Sequence, residues 1–211
     1  GEYGGTWNHV ASDSGPIKMI LYDPPVRWKP DYSGYEPGLM KSFDWNEDGT
    51  VITFKLREGL KWSDGEPFTT EDLEFWWNDL ALNEDHMVIQ VPWWARTEEG
   101  DPITMEFPDD YTWVWEPLMK PKHFLTQFHP DYTDGVDYEA LDLNDRWTET
   151  PGYPCLMAWC LTEYSPGESW KFSRNPYYWK VDPEGNQLPY LDNLVTEAVG
   201  DEEVRILQIS Q

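Results

Sequence analysis

The alternation of apolar and polar positions marks a short strand at residues 5–10, followed by an apolar run at 17–22 that Pro24-Pro25 ends. The clearest local unit comes next. Residues 39–45 lead into Asn46-Glu47-Asp48-Gly49-Thr50, and Val51-Ile52-Thr53-Phe54-Lys55-Leu56-Arg57 alternates apolar with polar. Period-two runs on both sides of an Asp-Gly pair predict a β-hairpin. A second turn, Trp62-Ser63-Asp64-Gly65-Glu66-Pro67, precedes a change of period. Thr69 with Asp72 three positions on has the form of a capping box. Leu73, Trp76, Trp77, Leu80 and Ala81 then follow at i, i+3, i+4, i+7 and i+8, which predicts an amphipathic helix of about three turns with a tryptophan-rich buried face.

Residues 83–108 show no period and hold Pro92-Trp93-Trp94, an aromatic cluster expected in a loop. Residues 111–115 alternate like a strand, Pro121-Lys122-His123-Phe124-Leu125 opens a short helix that ends by His129-Pro130, and 131–153 read as polar loop with one helical turn. A second strand pair is expected at 155–164 and 169–174 around Ser165-Pro166-Gly167-Glu168. A last strand is expected at 194–199, with a helix from Glu202 onward. No internal repeat or low-complexity tract interrupts this order.

Composition sharpens the picture. Hydrophobic residues make up 39% of the 211, yet aromatics reach 16% with 14 Trp, which argues against disorder and for a core built from a few large side chains. The net charge of -25, from 40 acidic and 15 basic residues, repels phosphate backbones and anionic headgroups, so a nucleic-acid partner is excluded. No stretch approaches the ~20 apolar residues of a membrane span. Gly1-Glu2-Tyr3-Gly4-Gly5 carries no secretory leader and reads as a mature or cloned terminus. In an extended strand the offset of Cys155 and Cys160 places them on opposite faces and out of disulfide reach, so two buried free thiols are expected. The four His are scattered and no zinc spacing is present.

Candidate chemistry is sparse. There is no nucleophile elbow, no His-Glu-x-x-His, no phosphate loop and no dinucleotide fingerprint. With 40 carboxylates, nominating a glycosidase pair carries no information. Asp44-Trp45-Asn46-Glu47-Asp48-Gly49 matches the opening of an EF-hand loop, but Lys55 stands where a bidentate Glu is needed, and the hairpin accounts for the same residues. Neither a metal nor a cofactor is expected.

Resemblance carries the functional reading. Gly4-Gly5-Thr6-Trp7 resembles the first strand of the family 5 extracellular solute-binding proteins. The stretch from Phe54-Lys55-Leu56-Arg57-Glu58-Gly59 through Trp62-Ser63-Asp64-Gly65-Glu66-Pro67-Phe68-Thr69 to Leu73 resembles that family's most recognisable segment. Arg174-Asn175-Pro176-Tyr177-Tyr178-Trp179 resembles a second signature, and Gly185-Asn186-Gln187-Leu188-Pro189-Tyr190-Leu191-Asp192 is typical of a subgroup. The family resemblance implies an α/β chain, the first lobe of a two-lobed, type II periplasmic-binding-protein-like fold, with a mixed sheet, flanking helices and hairpins. Ligand binds between two lobes that close by a hinge, and closure is what an ABC importer reads. Members are more than twice this length, so residues 1–211 are expected to be an incomplete N-terminal lobe with the second lobe outside the chain.

The resemblance therefore implies an extracytoplasmic receptor, not an enzyme, that hands a peptide or an oligosaccharide to an ABC permease. It is expected to be a monomer in the periplasm or at the cell surface, with membrane contact only through a lipid anchor outside these residues. Peptide and oligosaccharide stay open as ligands. A carbohydrate-active enzyme or carbohydrate-binding module is the alternative suggested by tryptophan and acidity, and a surface-layer protein a third. Expected ligand contacts are Trp7, Asn8 and His9 after the family's first strand, Tyr22 and Trp28 in the segment that faces the family cleft, and the loop aromatics Trp93 and Trp94.

Overall fold

Local signals decide most of the secondary structure, and the computed structural model describes it for residues 3–11, 23–85, 91–114, 119–201 and 203–204. In chain order the strands are β1 (Thr6–Ala11), β2 (Val26–Trp28), β3 (Tyr35–Pro37), β4 (Met40–Trp45), β5 (Ile52–Leu56), β6 (Glu106–Asp109), β7 (Thr112–Val114), β8 (Trp159–Ser165), β9 (Ser169–Arg174) and β10 (Asn193–Ala198). The α-helices are α1 (Thr70–Phe75), α2 (Lys122–Leu125) and α3 (Tyr138–Asn144). The chain divides into two units, one of residues 1–23, 61–66 and 143–211, the other of 24–60 and 67–142.

The first unit is built on a mixed sheet of order β1-β10-β9-β8, in which β1 runs parallel to β10 and the remaining pairs are antiparallel. Strand β9 alternates as its sequence predicts, with Trp170 and Phe172 buried and Lys171 exposed. These two pack with Ala158, Trp159, Leu161, Tyr178 and Leu194 into one core cluster, against which Trp7 of β1 rests half-buried. Burying this many aromatic rings is the main stabilisation available to a chain with so few aliphatic residues. Asn175 is buried and fully used: its amide nitrogen donates to the carbonyls of Met157 (2.9 Å) and Cys155 (3.3 Å), and its oxygen accepts from the Tyr177 N–H.

The two cysteines are not free thiols. Cys155 and Cys160 form a disulfide, with Cα atoms 5.9 Å apart. The expectation failed because β8 begins only at Trp159, and bends at residues 156–158 fold the chain back where an extended run was expected. The loop is held to the turn at 61–66 by a reciprocal pair, Ser63 N–H to the Cys155 carbonyl and Cys155 N–H to the Ser63 hydroxyl, each 3.1 Å.

The second unit contains the expected hairpin, β4 with β5, extended to a sheet of order β4-β5-β7-β6. Its turn is closed by Asn46, whose side-chain oxygen accepts from the N–H groups of Thr50 (2.9 Å) and Val51 (3.0 Å), with Gly49 at the positive φ of 68° that glycine tolerates. The capping box is formed. Asp72 accepts from Thr69 N–H and, through its other oxygen, from Lys122 N–H, so a buried carboxylate ends with both oxygens paired.

Leu73, Trp76, Trp77, Leu80 and Ala81 are all buried, as the spacing predicts. The helix changes type at its midpoint, however, and Trp76–Ala81 forms a π-helical turn in which Leu82 N–H reaches the Trp77 carbonyl. Two adjacent indoles with ring centroids 5.5 Å apart must both be buried here, and the wider turn gives them room on one side. Gly38 sits where a Cβ would lie 2.2 Å from the Pro24 carbonyl oxygen, so only glycine lets the two backbones meet. The final expected helix is described only at residues 203–204, and Trp115 and Glu202 lie outside the described residues.

Candidate functional site

No group of His, Cys, Asp or Glu among the described residues is placed to hold a metal ion, and no described helix is long and apolar enough to cross a membrane. What the second unit does present is aromatic surface, and two stretches of it hold the expected contacts Trp28, Trp93 and Trp94.

The first is the β2–β3 hairpin. Antiparallel register puts Trp28 opposite Tyr35 and Arg27 opposite Glu36. Side chains alternate across a strand, so one face carries the Arg27–Glu36 ion pair (2.7 Å) and the other the two rings, with centroids 4.1 Å apart. Tyr32, from the turn, adds a third ring 6.4 Å from Trp28. Trp28, Tyr32 and Tyr35 are 54%, 78% and 53% exposed. The turn closes through Lys29 N–H to Gly34 O and Tyr32 N–H to Lys29 O, both 2.9 Å. The Ser33 amide donates to Asp31, and this bond holds the Asp31 carboxyl below the usual carboxylate range, so it stays ionised.

The second place is the 3₁₀ turn Trp93–Ala95. Trp93 is 86% exposed, whereas Trp94 is half-buried and stacks on Trp76, with centroids 6.2 Å apart and an angle of 23° between the planes. Adjacent tryptophans thus have different surroundings, one open to solvent and one resting on the helix face.

The remaining expected contacts distribute as follows. Trp7 and Asn8 lie on β1, an edge strand whose neighbour among the described residues is β10. Trp7 packs against the core cluster and Asn8 is exposed. His9 is on the same strand, opposite Thr196, and Tyr22 lies outside the described residues. Trp28 is brought together with Tyr32 and Tyr35, which sequence reasoning passed over. The pairing of position 28 with 35 follows from the strand register across the six-residue loop 29–34, which the residue pattern does not announce.

Comparison with known proteins adds what geometry alone does not. Residues 34–211 match the family described as bacterial extracellular solute-binding proteins, family 5 Middle. The chain belongs to that family. Among family 5 relatives, it is 38% identical to the periplasmic alpha-galactoside-binding protein of Rhizobium meliloti (strain 1021), over 89% of this chain and 30% of that protein. It is 28% identical to the oligopeptide-binding protein OppA of Bacillus subtilis (strain 168), over 70% of this chain and 29% of that one.

Of the solved structures, an oligopeptide-binding protein OppA superposes with a TM-score of 0.82 at 34% identity, covering 99% of this chain and 37% of its own. The periplasmic binding protein MelB from Agrobacterium fabrum C58, solved with stachyose, gives 0.76 at 29% identity, covering 94% and 35%. The α/β architecture with a mixed sheet is therefore that of type II periplasmic binding proteins. These family 5 relatives are named as binding proteins and not as enzymes. The chain spans about a third of their length.

Proposed function

We propose that this chain is the N-terminal part of the extracytoplasmic substrate-binding component of an ABC importer, and that its ligand is an oligosaccharide of the α-galactoside class. The observation that carries the ligand class is the 38% identity, over 89% of the chain, to a protein named for binding alpha-galactosides. The exposed indole faces of Trp28 and Trp93 support it, because flat aromatic rings suit the CH faces of sugars. Peptide is the second reading, favoured by the 0.82 superposition on an oligopeptide-binding protein.

In this reading residues 1–211 form the first of two lobes, ligand lies between the lobes, and closure is recognised by the permease without any covalent step. Trp7, Asn8, His9, Tyr22, Trp28, Trp93 and Trp94 are the proposed contacts. The Cys155–Cys160 disulfide supports an oxidising, extracytoplasmic location. The net charge of -25 supports a monomer, since like-charged copies repel, and a lipid anchor outside these residues would provide any membrane attachment.

Calorimetric titration of the full-length protein with stachyose and with tri- to pentapeptides tests the assignment. Saturable heat from stachyose and none from the peptides is expected. Peptide binding alone overturns the ligand class, and release of free galactose during the titration overturns the receptor itself.

A further inference from the structure

The β2–β3 hairpin carries more aromatic surface than its own folding uses. Trp28 and Tyr35 cover one face of each other, and their other faces remain open. Tyr32 is the sharper anomaly. It is the one non-glycine residue with positive φ (57°) among those described, in the region where an L side chain costs about 1–2 kcal/mol. Glycine or asparagine would relieve that cost at a turn tip. Yet the position holds a tyrosine that is 78% exposed and whose hydroxyl meets no hydrogen-bond partner among the described residues, so nothing there offsets its strain. Backbone strain of this kind concentrates where a side chain is needed for something outside the fold.

The size and chemistry of the patch narrow the occupant. At 54%, 78% and 53% exposure, three rings of ~150–250 Å² each present roughly 300–450 Å². A stable protein partner uses about 800 Å² per side, so the patch is too small for one and adequate for a short oligosaccharide. The protein's net charge of -25 disfavours a polyanion, and the tip adds the ionised Asp31, which can accept hydrogen bonds from hydroxyl groups, and the donor Lys29. Flat rings edged by polar groups match a neutral pyranose, with its apolar CH face and hydroxyl rim.

We propose that Trp28, Tyr32 and Tyr35 form a stacking platform for a neutral oligosaccharide. This rests on the oligosaccharide reading above and deepens it, by giving the sugar a contact surface that includes two tyrosines with no other assigned role.

The test uses the full-length protein labelled with fluorotryptophan, the Trp28 fluorine resonance being assigned by its loss in Trp28→Phe. Stachyose is titrated while the bulk heat of binding is recorded in parallel. The Trp28 resonance is expected to shift saturably. In Tyr32→Gly and Tyr35→Ala, half-saturation at that resonance is expected to move about fivefold to tenfold higher. Tyr32→Gly also removes the strained φ, so its thermal midpoint should hold or rise, and weakened binding in that variant is then not a folding defect. A Trp28 resonance that stays put while the heat of binding saturates overturns the platform and leaves the receptor reading intact. Wild-type protein that binds no stachyose by either readout overturns both. A shift produced equally by an uncharged tripeptide overturns the carbohydrate assignment of the platform.

Discussion

The ammonium of Lys180 lies 2.7 Å from the carboxylate of Asp23, a residue only 8% exposed and 157 positions away in the chain. The same carboxylate accepts from the indole N–H of Trp179 at 2.6 Å and the hydroxyl of Tyr178 at 3.1 Å. The last two residues of the second family signature and the lysine that follows them thus converge on one acid. Removing it takes the carboxylate away from a partly buried cation, which is costlier than never having had the pair. Asp23→Ala is expected to destabilise the first unit by about 3 kcal/mol. Asp23→Asn, which can still accept a hydrogen bond, should lose clearly less. Hydrogen exchange of the Tyr178, Trp179 and Lys180 amides reads the effect, and protection unchanged in the alanine variant would refute it.

The disulfide makes a separate prediction. Closing a loop of five residues' separation removes unfolded-state entropy worth about 2 kcal/mol. Cys155→Ser with Cys160→Ser should therefore lower the unfolding free energy of the first unit, read from urea denaturation, by that order. Alkylation of the unreduced, denatured protein should add no label to either cysteine. Labelling of both without reductant would return the cysteines to free thiols.

The contrast between these sites shows what the sequence could and could not display. The β4–β5 hairpin, the Thr69–Asp72 capping box and the buried stripe from Leu73 to Ala81 were legible because each is written within a dozen residues, where turn chemistry and period suffice. The disulfide was not, because its reach depends on bends at 156–158 that a run of apolar residues does not announce. Asp23 was not legible either: nothing near Tyr22 or Pro24 reveals that its partners lie at 178–180. For the candidate site, the residue types could be picked out, but their grouping could not. Trp28 acquires Tyr32 and Tyr35 only through strand register, and Trp94 acquires Trp76 only through packing of the turn on the helix.

Acid and alkali should both weaken the turn at 182–187, each through one partner of the same hydrogen bond. Hydrogen bonds from the Tyr190 hydroxyl and the Asn186 side chain hold Asp182 well below the usual carboxylate range, because they stabilise its charged form. That contribution is complete above the ordinary value near ~4 and fades as pH falls through the depressed folded value. The same bond pushes Tyr190 up to about 12, since its proton is needed to donate. Its contribution is complete below the unfolded value near ~10 and is lost as pH rises through the folded one. Amide exchange of Glu184 and Asn186, which donate to Asp182, should accelerate at the acid end and show no inflection between pH ~5 and ~9. An inflection inside that window would contradict the assignment.

The adjacent indoles Trp93 and Trp94 separate binding from packing within one turn. Trp93 is 86% exposed and no ring or hydrogen-bond partner among the described residues holds it, so Trp93→Ala should change stability by no more than about 0.5 kcal/mol. Trp76, fully buried beneath Trp94, should cost about 3–5 kcal/mol when cut to alanine. Trp94→Ala falls between, because it removes the ring that stacks on Trp76 and opens that indole to water. If Trp93 contacts the sugar, its variant should weaken stachyose binding several-fold at unchanged thermal midpoint, whereas Trp94→Ala should alter both together. Parallel calorimetry and thermal unfolding of the three variants decide this. Equal stability losses in Trp93→Ala and Trp94→Ala would mean that the exposed indole carries packing weight, and an unchanged dissociation constant in Trp93→Ala would remove it from the ligand surface.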